Sequence, residues 1–204
     1  MTYDRTLQLF FTPSSFQTNG KEDKSPNAAS ENCPISLTYI ADARTYHPQP
    51  LTTEKRFFLQ IMRAQLQCLQ QSQTTIKDLL TFVSTSCRTA SNIAEEVGML
   101  GVSYITEPTI TSDEVMAVRS SMLLQGMRTK VEVVLEIKVR SGDGVAALAT
   151  NVKAGAKVCY GEGLKEKKMA EFLESKIKGV KGKGVWVKAM GELEERLRAR
   201  GKKA

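Results

Sequence analysis

Twice along this 204-residue chain, short stretches that alternate apolar with polar residues are followed by amphipathic helical stripes. A strand that is apolar on one side only belongs to a sheet with one covered face, and a helix with one apolar stripe needs a surface to lie on. The pattern predicts an α+β fold of two units, each a small antiparallel sheet covered by helices. The clearest strand is 131–139, where Val131, Val133, Leu135, Ile137 and Val139 share one face and Glu132, Glu136, Lys138 and Arg140 the other.

The first pass opens with Leu7, Leu9 and Phe11 as a short strand, then a polar stretch over 12–34 that reads as a mobile loop. Ile35, Leu37 and Tyr39 alternate as a second strand. Thr52 or Thr53 can cap the next helix, because a hydroxyl satisfies amides left free at a helix start, and Phe58, Ile61, Met62 and Leu69 mark its buried side. Ile76, Leu80, Val83, Cys87, Ala90, Ala94 and Val97 then repeat at alternating spacings of four and three, a stripe that packs in the core or against another helix. Gly98 and Gly101 are expected to end this helix, 102–106 to form a short strand, and Pro108 to mark the boundary between the units.

In the second pass, 114–124 alternates as a strand through Val118, Ser120, Met122 and Leu124, although Ser112 and Asp113 offer a helix cap instead. After the strand at 131–139 come a turn at 141–144 and an extended stretch ending at Tyr160. Two helices close the chain, with Met169, Phe172, Leu173 and Ile177 on one stripe and Trp186, Ala189, Met190, Leu193 and Leu197 on the other.

Chemistry-bearing patterns are sparse. The four cysteines, Cys33, Cys68, Cys87 and Cys159, form no Cys-x-x-Cys pair and read as buried thiols, and His47 is the one histidine, which removes the usual zinc spacings. A Cys–His nucleophile pair is not decided by spacing, since such partners meet in space. Gly161 and Gly163 imitate a dinucleotide fingerprint, but Glu166 stands where the third glycine should be, and its carboxylate would oppose a pyrophosphate. Gly179 and Gly184 have P-loop separation with Val185 in place of the lysine. Both clusters read as turns. Adjacent carboxylates such as Glu95 with Glu96 and Glu194 with Glu195 point in different directions on a helix and make a poor acid–base pair. These observations predict a protein without catalytic, cofactor or metal sites.

The longest apolar run, 145–149, is far short of the roughly 20 residues of a membrane helix. The first residues lack a signal-like apolar core, so an intracellular location is expected. Residues 1–164 carry 16 Lys and Arg against 16 Asp and Glu, and residues 165–204 carry 13 against 6, so the excess of +7 sits in the last forty positions. Glutamates interleave with these cations and no aromatic platform accompanies them, which favours solvated helix faces over a nucleic-acid footprint.

The block LTTEKRFFLQIMRAQLQCLQ at 51–70, continuing through Asp78-Leu79-Leu80, resembles the C-terminal region of fungal KNL-type kinetochore scaffolds, also called blinkin. The resemblance extends to Arg128-Thr129-Lys130-Val131, to Tyr160-Gly161-Glu162 with Lys168-Met169 following, and to the closing 192–202 helix. It implies two tandem RWD domains, taken as 1–107 with the 12–34 loop and 108–204 with the basic end. It further implies a noncatalytic adaptor in the nucleus, at the kinetochore and centromere, docked on the MIND (Mis-type) complex by holding a tail of its Nsl subunit, beside other kinetochore proteins. Met-Glu-Leu-Thr repeats, an Arg-Val-Ser-Phe string and a coiled coil before Leu7 are missing, so the chain reads as the docking end of a longer scaffold, without checkpoint or phosphatase recruitment. The 12–34 insertion matches nothing in the family pattern.

Such docking is expected either in the seam between the units or beside an exposed strand, whose edge offers amides and carbonyls that an incoming chain can complete. The candidate is the 131–139 strand, with Val131, Val133, Leu135 and Ile137 as contacts and Tyr160 and Trp186 as anchors. The competing reading is nucleic-acid binding through Lys176, Lys178, Lys181, Lys183 and the 196–203 end.

Overall fold

The structure, a computed structural model, describes Thr2–Tyr3, Leu7–Phe11, Leu37–Asp42 and residues 52–71, 76–140, 148–161, 163–178 and 182–201. The polar 12–34 stretch, His47, Cys33 and the expected turn at 141–144 lie outside the described residues. The elements run β1 (Thr2–Tyr3), β2 (Leu7–Phe11), β3 (Leu37–Asp42), α1 (Thr53–Gln71), α2 (Ile76–Ser103), β4 (Ile105–Ser112), β5 (Val115–Leu124), a 3-10 turn (Gln125–Met127), β6 (Thr129–Arg140), β7 (Ala149–Tyr160), α3 (Glu166–Ile177) and α4 (Val185–Gly201). The fold is α+β, as the alternation predicts. Two compact units emerge, one of residues 1–89 with 140–149, the other of 90–139 with 150–204.

In the first unit, β2 pairs antiparallel with β1 and with β3, with Leu9 opposite Ile40 and a register shift after Phe10. Leu37 and Tyr39 of the expected second strand lie in β3, and Ile35 lies outside the described residues. The following helix starts where its threonines predict: the Thr52 carbonyl accepts the Arg56 amide at 3.0 Å. Along α1, Phe58 and Met62 are buried as expected, together with Phe57 and Leu66. Phe57 and Phe58 meet edge to face with ring centres 5.5 Å apart, the arrangement favoured by aromatic quadrupoles.

Helix α2 runs on past Gly98 and Gly101 to Ser103, contrary to the expected stop. Ile93, Val97 and Leu100 are all buried, so the apolar stripe carries past Gly98 and outweighs its propensity cost of about 1 kcal/mol, while Val102, beyond Gly101, is exposed in the last turn. Val83 and Val97 of the expected stripe are buried, but Leu80, Cys87, Ala90 and Ala94 are half-buried, and Phe82, Ser86 and Glu96 are buried instead. The buried face is thus turned by about one residue. The Ser86 hydroxyl is fully buried with no hydrogen-bond partner among the described residues.

In the second unit the strands form a sheet in the order β4-β5-β6-β7. The antiparallel β5–β6 register sets Met116 opposite Ile137, Val118 opposite Leu135, Ser120 opposite Val133 and Met122 opposite Val131, all on one face and all buried. Each such aliphatic side chain contributes about 1.5–3 kcal/mol by leaving water. The buried Ser120 hydroxyl is satisfied by Thr106 across β4, at 3.0 Å. Strand β7 also runs antiparallel: a Cβ on Gly155 would sit 3.7 Å from the Val134 carbonyl, and one on Gly161 would strike Thr129. Helix α4 packs on β5 and the 3-10 turn, and α3 packs on α4. Their stripes are buried as expected at Met169, Leu173, Ile177, Trp186, Ala189, Met190, Leu193 and Leu197, while Phe172 is half-buried.

Two corrections concern β4. Val102 and Ser103 belong to α2, and the strand starts at Ile105; Pro108 lies inside that strand rather than at a boundary. An edge strand tolerates proline because an outward nitrogen owes no bond to the sheet.

Because a Cβ at Gly98 meets nothing within 4 Å, Gly98→Ala should raise the unfolding free energy by about 0.5–1 kcal/mol. Leu135→Ala should lower it by about 2–5 kcal/mol. Denaturant titration of the two variants checks both signs.

Candidate functional site

The sequence candidates separate cleanly in space. Val131, Val133, Leu135 and Ile137 are at most 1% exposed and lie inside the covered face. Strand β6 runs between β5 and β7, so the exposed edge expected for it is not there. The strong apolar alternation that drew attention to this strand is the signature of a central strand, whose contacts are already made. Trp186 is also buried, in the first turn of α4. Tyr160, at the end of β7, is 66% exposed.

The free edges are β4 and β7, which among the described residues pair with no further strand. On β4, Ile105 and Ile110 are exposed, but Pro108 removes a donor from the middle of the edge. That proline was the sequence signal for an edge strand, read instead as a boundary. Twelve residues long and free of proline, β7 is exposed along most of its length. Lys153, Gly155, Lys157 and Cys159 alternate along its uncovered face, so Cys159 is an exposed thiol rather than a core one. Beyond Tyr160 the chain turns through Gly161 and Gly163, at φ of 104° and 83°, as the turn reading requires. The Val158 amide donates to Glu166 Oε1 at 2.8 Å, which gives Glu166 a structural task in place of the nucleotide role its position excluded.

The start of α4 is held by a buried carboxylate. Gly184, with φ of 73°, precedes α4 and has no side chain to cap it. Glu96 reaches in from α2, accepting the Val185 amide at Oε1 (3.2 Å) and the Trp186 amide at Oε2 (2.9 Å). Two donors left open at the helix start are thereby satisfied by an anion at the positive end of the helix dipole. Alongside, Lys183 Nζ pairs with Glu95 at 2.8 Å, both groups largely exposed.

The basic end is drawn into similar local pairs. Lys176 bonds Glu192 at 2.6 Å, and this hydrogen bond holds the Glu192 carboxyl below its ordinary range. Arg198 pairs with Glu194, and the Arg196 guanidinium lies 4.2 Å from the centre of the Phe172 ring. Lys176, Lys183, Arg196 and Arg198 are thus each engaged within the unit. Among the described residues no three His, Cys, Asp or Glu cluster as metal ligands, and no helix is long and apolar enough to cross a membrane.

Sheet, covering helices and free edges are those of a small α+β domain compatible with the RWD type, a scaffold class that is typically noncatalytic. Residues 1–94, just under half of the chain, match the family model described as the Knl1 RWD C-terminal domain, which bears out the KNL-type resemblance for that stretch and suggests a kinetochore scaffold role. No curated protein and no solved structure matches the chain.

Glu96→Ala should cost about 1–3 kcal/mol in a denaturant titration, because two amides lose a charged acceptor. Lys183→Ala should cost less than about 1 kcal/mol. A second prediction concerns Tyr104, whose hydroxyl donates to Glu194 at 3.3 Å. Burial, aided by the negative Glu194, pushes this phenol from 10.0 up to about 12. The folded state thus favours the protonated ring. That contribution is complete below about pH 10, where the unfolded phenol titrates, and is lost as pH rises towards about 12. Ultraviolet titration should show a late-ionising tyrosine signal that is lost in Tyr104→Phe, and that variant should lose less stability between pH 10 and 12.

Proposed function

We propose that this chain is the docking region of a kinetochore scaffold: a noncatalytic adaptor of two tandem RWD-like domains that binds the MIND complex through a tail of its Nsl subunit. The family match over 1–94 supports the kinetochore setting, and the exposed β7 edge, ending in Tyr160, supports capture of an extended tail. Main-chain pairing along such an edge supplies affinity, and side chains beside it supply selectivity. In this reading Val131, Val133, Leu135, Ile137 and Trp186 act from within, holding β6 and α4 under the binding strand, and Tyr160 makes the direct contact. The adaptor works in the nucleus, at the centromere, and supports chromosome segregation.

The alternative, a nucleic-acid-binding module, draws on the basic end. It is weakened by the carboxylate and ring partners of Lys176, Lys183, Arg196 and Arg198.

Titration of an Nsl tail peptide should perturb β7 amides, and Tyr160→Ala should weaken binding by about 2 kcal/mol, as loss of an aromatic anchor does, with stability changed by under about 0.5 kcal/mol. Binding that falls by orders of magnitude between 50 and 200 mM salt and is unaffected at Tyr160 would favour the alternative.

A further inference from the structure

The bond from the Val158 amide to Glu166 fixes the direction of the whole β7 edge. An amide held by a side chain of the following helix points away from β6. By the alternation of an antiparallel ladder, Val152, Ala154 and Ala156 point their N–H and C=O groups the same way. This outward row has no strand partner among the described residues. At its Val158 end, one amide is already filled by a carboxylate.

Lys153 and Lys157 flank Gly155 on the uncovered face, and all three are exposed. A strand laid against β7 places its own side chains opposite these positions. The complementary sequence carries an acid opposite each lysine, four residues apart, and a bulky residue opposite the bare Gly155. A second copy of this chain paired antiparallel about Gly155 would set Lys153 against Lys157, which disfavours that register. A phosphate backbone supplies acceptors for lysines and amides but no donor for the outward carbonyls.

We propose that the β7 edge docks an extended acidic peptide with carboxylates four residues apart, and that Glu166 is an internal plug which this peptide displaces from the Val158 amide. The inference rests on the adaptor reading only in taking β7 as the docking edge; the chemistry of the partner comes from Lys153, Gly155, Lys157 and Glu166.

The test uses the full chain and a synthetic ten-residue β-branched peptide with glutamates four apart, beside a control with lysines at those two positions. Fluorescence titration should show binding of the acidic peptide alone, with slowed exchange of the Ala154 and Ala156 amides. Glu166→Ala should tighten binding about tenfold, the equivalent of roughly 1.4 kcal/mol, and Glu166→Gln, which keeps an acceptor, by less. The double variant Lys153→Glu with Lys157→Glu should invert the preference to the lysine peptide. Equal binding of both peptides, unprotected β7 amides, or unchanged affinity in both Glu166 variants overturns the proposal. So does a duplex oligonucleotide that competes for the same amides. If the Nsl tail fails to bind while the acidic peptide protects β7, the kinetochore partner falls and the edge stands; if the tail binds and Ala154 and Ala156 stay unprotected, this inference falls alone.

Discussion

A single carboxylate, that of Glu96, fastens the start of α4 to α2. The sequence before α4 supplies glycines where a helix normally has a Ser, Thr, Asp or Asn cap, so its first amides depend on an acceptor from elsewhere in the chain. With that acceptor in place, Trp186, Ala189, Met190, Leu193 and Leu197 remain buried along one stripe. The covered face of the four-stranded sheet is therefore secured by a long-range polar contact as well as by apolar area.

The second unit is locally consistent. The β-branched residues of β6 face the odd-even partners that the β5 register provides, a buried serine finds a threonine, and the tight turn after Tyr160 has glycine where any Cβ would meet Thr129. Agreement of propensity, register and polar satisfaction is what gives a chain one preferred structure. The departure in the first unit is Ser86, whose buried hydroxyl has no partner among the described residues.

Much of the fold was legible in residue patterns because period-two and helical spacings survive into three dimensions: β2, β6, α3 and α4 carry them plainly, and β5 carries its alternation beside a competing helix cap at Ser112 and Asp113. Where reading failed, tertiary packing overrode a local signal. Gly98 looked like a stop, but buried Val97 and Leu100 on either side of it kept α2 going; Pro108 looked like punctuation, but an edge strand accommodates it. The candidate site was less legible for a related reason. Alternation reports burial, so it singled out β6, whose position between two strands leaves it nothing to offer, whereas the exposed β7 is built of Lys, Ala, Gly and Cys and leaves a weak pattern. Tyr160 stood out as an aromatic, yet only its 66% exposure separates it from the buried Trp186. The Glu96 cap could not be read at all, since it joins residues about ninety positions apart.

The proline in β4 makes the sheet asymmetric at its two rims. One rim has its hydrogen-bonding row broken near the middle, and the other runs for a dozen residues with the amide of Val158, near its end, held by Glu166. Stacking copies head to tail through this sheet needs two intact rims on every molecule, and the proline leaves it with one. Growth of this sheet by an added strand is therefore confined to its β7 rim.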